Sequence, residues 1–200
     1  MKISKLDILK YSIDLVIVIS GVFLGIYISG LKENRSINLE KEKSIKYIIS
    51  ELENNLKLIN GHITYHELIK QQIDSIIPTL SEEVKFSSFI KYRDNEIKGW
   101  EGFLYARIQY TAFEGAKLSG IMQEMDLELI QEISYIYTFQ KAYSDFGTSI
   151  LNKAFETNSS TKVIDFLDII QIMTSDLLNL EKGLSDEIEK TITDLKRYSQ

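Results

Sequence analysis

The longest apolar stretch of the chain lies near its start and contains no charged residue. It covers Leu15 to Leu31 and reads LVIVISGVFLGIYISGL. A helix rises 1.5 Å per residue, so this stretch is about 25 Å long, and Tyr11 to Asp14 extend it to roughly the 30 Å of a bilayer core. The pattern predicts a single transmembrane helix, with residues 1–31 forming an N-terminal tail and membrane anchor.

A cleaved signal peptide is the main alternative for this segment. Lys2, Lys5 and Lys10 provide the basic start that such a peptide needs. However, the apolar run is longer than the 7–15 residues typical of a signal peptide, and the small-residue cleavage pattern is missing. The chain then continues directly into the charged sequence KENRS. We therefore expect the anchor to be retained.

Small residues recur every four positions within the anchor, at Gly21, Gly25 and Ser29. Residues at this spacing lie on one stripe of a helix, where small side chains allow the backbone of a second helix to approach closely. Glycine is also common in membrane helices for other reasons. We predict that this stripe is a helix–helix interface, used in a homo-oligomer or with a membrane-protein partner.

The charges at the two ends of the anchor bear on its orientation and on one further hypothesis. Five basic residues follow the run, and their number slightly favours a cytoplasmic head under the positive-inside rule: Lys32, Arg35, Lys41, Lys43 and Lys46. The short basic tail before a single anchor favours an exported head instead, which we expect. Asp14 would be a proton relay in a stator, but we favour an interfacial residue near a helix N-terminus, where negative charge is stabilised.

Beyond the anchor, apolar residues recur at alternating spacings of four and three. The positions are Ile45, Ile49, Leu52, Leu56, Ile59, Ile63, His66, Lys70, Ile73 and Ile77. This heptad seam, with polar interruptions at His66 and Lys70, is typical of a coiled coil or bundle helix. No helix breaker lies between Gly30 and Gly61, and Pro78 cannot continue a helix. The pattern predicts one long helix that is continuous with the anchor and ends at Pro78.

The rest of the chain also reads as helical. Thr79 and Glu82 have the form of a capping box, and Gly99 to Gly102 indicate a break. Helices are predicted over 103–118, where Ser119 and Gly120 provide a C-cap, from Asp126 to about Phe155, and after the polar turn at 158–161. The last helix carries a second seam, at Phe166, Ile170, Met173, Leu177, Leu180, Leu184, Ile188, Ile192 and Leu195. Residues 32–200 are therefore predicted to form an antiparallel helical bundle, and the fold class is all-α.

Charge and composition exclude two classes of function. The chain has 23 Lys and Arg against 29 Asp and Glu. Removing the three lysines and two aspartates of residues 1–31 leaves a head with a net charge of −7. A nucleic-acid-binding surface would need a basic face, so no nucleic acid is expected as a partner. The chain has no cysteine, which excludes disulfides and thiolate chemistry.

Two histidines stand one helical turn apart in the phrase HITYHE. His62 and His66 share a helix face, so their imidazoles have the spacing to bind one zinc or similar ion. A metal site needs at least one further ligand, and the order differs from the HExxH of metalloproteases because Ile63, followed by Thr64 and Tyr65, stands between the histidines without a Glu. The alternative is that His66 is a polar seam residue that sets helix register, with His62 as its solvated neighbour.

No catalytic arrangement is apparent elsewhere. Adjacent acids such as Glu82 and Glu83 face different directions on a helix, and the chain has no phosphate-binding loop or nucleophile elbow. Five tyrosines crowd the middle of the head, where we expect core packing more than a ligand pocket: Tyr105, Tyr110, Tyr135, Tyr137 and Tyr143. We predict that the protein is not an enzyme and has no cofactor.

Two phrases of the chain resemble one known family. Residues 14–35 read DLVIVISGVFLGIYISGLKENR, and residues 111–120 read TAFEGAKLSG, which contains the pattern F-E-x-x-K-x-S-G. Both are similar to a family of small bacterial single-pass membrane proteins of uncharacterised function, in which the anchor leads directly into a helical head. The chain departs from the family at Gly30, Leu31 and Lys32, where an Asn-Asn-Trp phrase is usual. The resemblance implies a protein of the bacterial inner membrane with no assigned activity.

These observations lead to three functional expectations. The first is a membrane-anchored interaction or sensory module with a periplasmic head, which works as an oligomer or as a subunit of a membrane complex. The second is a membrane effector whose head binds a signal and perturbs the bilayer. The third is a metal-binding protein that uses His62 and His66.

Overall fold

The structure, a computed structural model, describes residues 5–90 and 97–198, with side chains from Asp14 onward. The predicted basic start at Lys2, Lys5 and Lys10 therefore lies outside the described side chains. Six α-helices are described: α1 (Lys5–Ile76), α2 (Glu82–Lys85), α3 (Thr111–Leu118), α4 (Leu127–Phe155), α5 (Val163–Ile172) and α6 (Leu178–Tyr198). The described residues also include two 3₁₀ turns (Ile77–Thr79 and Ile121–Glu124) and a π turn (Met173–Leu177).

The all-α prediction is confirmed for the described residues. Apart from one isolated bridge between Ser88 and Lys162, residues 5–90 and 97–198 contain no β pairing. Helix α1 includes the apolar run and the predicted seam except its last position, Ile77, and it ends two residues before Pro78. The chain divides into two compact units, residues 1–43 and residues 44–200.

In the first unit, the apolar side chains have no protein to pack against. The large hydrophobic residues from Leu15 to Leu31 are 45–69% exposed. Helix α1 is the one described helix that is long and apolar enough to cross a membrane, with a mean hydropathy of 2.1 over its most apolar window and none of that window buried. Length and composition alone thus allow a membrane span in this unit.

In the second unit, hydrogen bonds between side chains fix the directions of three long helices. Glu51 bonds to Tyr137, and Asn55 bonds to Gln140, so residues 44–76 of α1 run in the same direction as α4. His66 pairs with Glu181 and Asn60 bonds to Ser185, so α6 runs the opposite way. Helix α4 also packs directly against α6.

The buried stripe of α1 follows the predicted seam except at Leu56, Ile63, Lys70 and Ile77. Leu52, Ile59, His66 and Ile73 are buried as predicted, but Leu56 and Ile63 are only half-buried and Lys70 is exposed. Asn55 and Ile69, each one position earlier than Leu56 and Lys70, are buried instead. At Leu56 the prediction was wrong because it placed an apolar residue in the core by preference, whereas the bundle buries an asparagine that has its own hydrogen-bond partners.

The helix predicted over residues 103–118 is present only from Thr111 to Leu118. Residues 103–110 form no helix, because side chains of α1 and α4 satisfy their backbone groups instead. The capping prediction is also wrong by two residues, since Ser81, and not Thr79, accepts the N–H of Val84 at the start of α2.

The predicted helix from Asp126 to Phe155 is confirmed, with Asp126 at the N-cap of α4. Gly120, at φ 78°, adopts the left-handed conformation that ends α3, as the Ser119–Gly120 signal indicated. In the second seam, Leu180 is half-buried and Glu181 is fully buried in its place. A carboxylate thus occupies a core position that the sequence pattern had assigned to leucine.

Candidate functional site

Residues 101–110, which form no helix, lie along α1 at the surface of the head, and only Ala106 among them is buried; we call them the extended segment. The carbonyl oxygen of Leu104 is 2.9 Å from Nε2 of His66, and Gln109 is bonded through both its N–H and its C=O to Asn55. The five residue steps from Leu104 to Gln109 therefore span the eleven steps from His66 back to Asn55, which is about 16 Å along a helix. Five steps cover that distance only when the backbone is nearly fully extended.

The backbone of this segment is held by side chains. Tyr65 donates to the C=O of Gly102 (2.7 Å) and accepts the N–H of Glu101 (3.1 Å). The hydroxyl of Tyr143 on α4 accepts the N–H of Ala106 at 2.7 Å. A strand without a neighbouring strand must find such partners for its buried polar groups, and here they come from two helices.

The central part of the site is a chain of buried polar groups. Nδ1 of His66 is 2.7 Å from Oε2 of Glu181, and the hydroxyl of Tyr143 donates to Oε1 of the same carboxylate at 2.9 Å. All three side chains are fully buried. These hydrogen-bonded side chains connect α1, α4 and α6 to the extended segment. Losing them would weaken the packing of the three helices and of the segment.

The protons of this chain can be assigned by elimination. The carbonyl oxygen of Leu104 only accepts, so Nε2 of His66 must carry a hydrogen. Nδ1 of His66 and Oε2 of Glu181 then share one further proton. Burial, reinforced by the negative charge of Glu181, raises the pKa of Tyr143, so its hydroxyl remains a donor.

A second buried carboxylate holds the start of α3. Glu51 accepts the hydroxyl of Tyr137 at 2.6 Å and the N–H of Ala112 at 2.8 Å. The N-cap residue Tyr110 makes no capping bond with its own side chain. Glu51 therefore supplies the negative charge that a helix N-terminus favours, and burial together with this carboxylate raises the pKa of Tyr137.

A groove of about 670 Å³ lies between α1 and the extended segment. His62, half-buried, lines this groove. Burial lowers the pKa of His62 below 6.5, and the charge of Glu181 opposes that shift. His62 is thus the member of the histidine pair that solutes can reach.

The two histidines predicted as metal ligands have different environments. Their ring centroids are 6.1 Å apart. Both nitrogens of His66 are engaged by Glu181 and Leu104. In the part of the chain that the structure describes, no three His, Cys, Asp or Glu residues are placed to share a metal ion. Metal binding at this pair stays a prediction.

The predicted helix–helix stripe lies in the first unit. Gly21, Gly25 and Ser29 are all exposed. A Cβ atom added at either glycine would meet nothing within 4 Å. The stripe therefore has open space in front of it within a single chain.

The site includes residues that sequence reasoning missed. Three buried polar residues are among them: Asn55 bonds to the extended segment, Glu181 bonds to its anchoring groups, and Glu51 bonds to the start of α3. Their signal was present in the spacing, because Asn55 and Glu181 continue the four-three pattern as well as Leu56 and Leu180 do. Only the identity of their partners shows why a polar residue belongs there.

Comparisons with known proteins give no relative from which to transfer a role. No family model, curated protein or solved structure matches the chain.

Proposed function

We propose that the chain is a single-pass membrane protein whose helical head is an interaction or sensory module. The anchor is the apolar run from Leu15 to Leu31, and the head is residues 32–200. Family membership, a bacterial inner-membrane location and a periplasmic head are parts of the same proposal. Assembly into a homo-oligomer, or with a membrane-protein partner, would use Gly21, Gly25 and Ser29.

One observation carries the membrane part of this proposal. The apolar residues of the run are 45–69% exposed, and burial of one large aliphatic side chain contributes about 1.5–3 kcal/mol. A row of such residues facing water would favour aggregation. A lipid environment removes that cost without any further protein contact.

The interaction part is supported by the way the head uses its polar groups. The groups with catalytic potential, His66, Glu181 and Tyr143, are fully buried and bonded to each other or to the backbone. Substrate cannot reach them in this conformation, so they serve to hold the extended segment and the groove beside it. A groove lined by side chains of α1 and the extended segment is suited to binding a ligand.

Membrane extraction tests the proposal. The full chain should sediment with membranes and resist alkaline carbonate, whereas a Val22→Arg/Phe23→Arg variant should lose insertion, because each arginine at the centre of a span costs about 2.5–3.5 kcal/mol. A Leu127→Arg/Phe155→Arg variant, changed at exposed apolar residues of the head, is the matched control and should stay in the membrane. A wild-type chain that is released by carbonate would overturn the proposal.

Two further measurements address the head. A reporter fused after Gln200 shows which side of the membrane it occupies. Chemical crosslinking in intact membranes, followed by affinity isolation, shows whether it has partners. A chain that crosslinks to neither itself nor another membrane protein would contradict the interaction role.

A further inference from the structure

The groove between α1 and the extended segment has the form of a preorganised binding site. Its volume of about 670 Å³ lies within the usual range for ligand sites. The bonds of Tyr65 and Asn55 to the extended segment stand ten residues apart on α1, about 15 Å along the helix. These two attachments hold the segment in place on either side of the groove.

The floor of the groove is open because one residue lacks a side chain. Gly61 lines the groove, and a Cβ atom placed on it would meet nothing within 4 Å. Leu58 and Leu104 contribute apolar surface on the two sides and are 40% and 36% exposed. A ligand lying over Gly61 would contact both leucines.

The groove also contains polar groups that make no hydrogen bond or ion pair within the described residues. They are the Lys57 ammonium, the Glu101 carboxylate, the His62 ring and the side-chain amides of Asn54 and Gln109. Amide groups that both donate and accept are suited to a peptide backbone. Their number and placement along one groove are more than a compact ion would use.

The two opposite charges come from different parts of the groove lining. Glu101 is next to Tyr65, whose hydroxyl accepts its N–H. Lys57 is eight residues earlier on α1 than Tyr65, about 12 Å along the helix. An extended peptide advances about 3.3 Å per residue, so three residues place an ammonium and a carboxylate at roughly this separation.

We propose that this groove binds a free, extended peptide of about three residues. Its N-terminal ammonium pairs with Glu101 and its C-terminal carboxylate with Lys57. The central side chain lies over Gly61 between Leu58 and Leu104, and Asn54, His62 and Gln109 bond to the peptide groups. This inference deepens the proposed function, since it takes the head as the part of the protein that binds.

Titration calorimetry on the full chain in detergent micelles tests the proposal, with Ala-Leu-Ala as the probe. The free tripeptide should bind, and either N-acetylation or C-amidation should weaken binding at least tenfold. Glu101→Gln should remove the effect of acetylation, and Lys57→Met should remove the effect of amidation. Lys46→Met, at an exposed lysine of α1 outside the groove, is the matched control and should leave binding unchanged.

Gly61→Phe provides an independent test because it fills the groove from an open position on a helix. It should abolish binding while leaving the circular dichroism spectrum and unfolding midpoint close to those of the wild type. Absence of binding to the wild type, or binding that is unaffected by capping both peptide ends, would overturn the proposal. Tighter binding of the doubly capped peptide would also overturn it, by indicating an internal segment of a protein as the ligand. Membrane extraction is independent of all these outcomes.

Discussion

Nδ1 of His66 lies 2.7 Å from Oε2 of Glu181, across 115 positions of sequence, and neither side chain has any exposed surface. This pair joins α1 to α6, and through Tyr143 it also reaches α4. Burial of charged groups costs free energy unless each is paired and hydrogen-bonded. Here the Glu181 carboxylate accepts a hydrogen bond from Tyr143 and also pairs with His66. These bonds offset the free-energy cost of burying it.

Removing one member of this pair should destabilise the head strongly. We expect Glu181→Ala to lower the free energy of unfolding by about 3–5 kcal/mol, because the His66 ring loses its partner in a fully buried site. Urea unfolding of the full chain in micelles, followed through the single tryptophan, Trp100, measures the change.

The partly exposed pair of Lys182 and Glu67, 2.6 Å apart, is the control for this experiment. Glu67→Ala should cost about 0–1 kcal/mol, since exposed pairs are screened by solvent. Similar losses for Glu181→Ala and Glu67→Ala would contradict the role assigned to the buried pair.

The extended segment should depend on Asn55. In Asn55→Ala the N–H and C=O of Gln109 both lose their partner. We expect a loss of about 1–3 kcal/mol and faster hydrogen exchange at the Gln109 amide, measured by NMR. Asn54→Ala changes the neighbouring exposed asparagine and should alter stability by less than about 0.5 kcal/mol. Unchanged exchange at Gln109 in Asn55→Ala would show that another group holds the segment.

Two glycines in helices should respond in opposite ways to alanine. A Cβ atom at Gly147 would lie 2.5 Å from the Tyr105 ring, whereas one at Gly115 would meet nothing within 4 Å. Gly147→Ala should therefore cost about 1–3 kcal/mol through overpacking. Gly115→Ala should stabilise α3 by up to about 1 kcal/mol, because alanine has the higher helix propensity.

Thermal unfolding distinguishes the two glycine substitutions directly. The cost of Gly147→Ala should largely disappear in a Tyr105→Ala background, where the ring that the new methyl group meets is gone. A cost that persists in that background would place its origin elsewhere.

The pH dependence of stability should include a contribution from His62. Burial lowers its pKa in the folded head below 6.5, so the unfolded chain binds a proton first as the pH falls. The contribution of His62 to stability is complete above pH 6.5 and is lost as the pH falls towards its folded-state pKa. Urea unfolding of wild type and His62→Gln between about pH 8 and pH 5 measures it. The variant should lose less stability on acidification, and an equal loss in both proteins would be the contrary result.

Self-association through the anchor is tested by two glycines of the same apolar run. Gly25 belongs to the small-residue stripe, whereas Gly30 lies five positions later, about 140° around the helix. We expect Gly25→Leu to reduce the crosslinked dimer in membranes at least fivefold and Gly30→Leu to leave it unchanged. A Cβ atom added at either residue would meet nothing within 4 Å in the single chain, so neither change should disturb folding. Equal yields from the two variants would exclude the stripe as the interface.

Local patterns were sufficient to predict most helices. Pro78 predicted the end of α1, Asp126 the start of α4, and Gly120 the end of α3, because each acts through its own backbone geometry or hydrogen-bonding capacity. The errors concern residues whose conformation depends on distant partners. Residues 103–110 have a helical pattern of apolar positions. Their backbone groups nevertheless find hydrogen-bond partners in the extended form, because His66, Asn55 and Tyr143 supply them.

The candidate site was predictable only in part. The spacing of His62 and His66 identified the turn of α1 that contributes to the site. In the structure, however, His66 is buried and bonded through both nitrogens, whereas His62 lines the groove. Glu181 and Asn55 were missed because an isolated pattern favours leucine at a core position. A buried polar residue becomes favourable only when a specific partner is present. For His66 that partner, Glu181, is 115 residues away in the sequence, and for Asn55 the nearer partner, Gln109, is 54 residues away.

The sequence by itself determined the features that depend on near neighbours: the all-helical class, most helix ends, and an apolar run long enough to span a bilayer. The tertiary structure decided which polar residues are buried, where the chain is extended, and that a groove opens over Gly61. The physical reason is the distance along the sequence over which each interaction acts. Backbone propensity and hydrophobic periodicity act over a few residues, whereas a buried hydrogen bond stabilises the fold only when packing brings two distant groups to within about 3 Å.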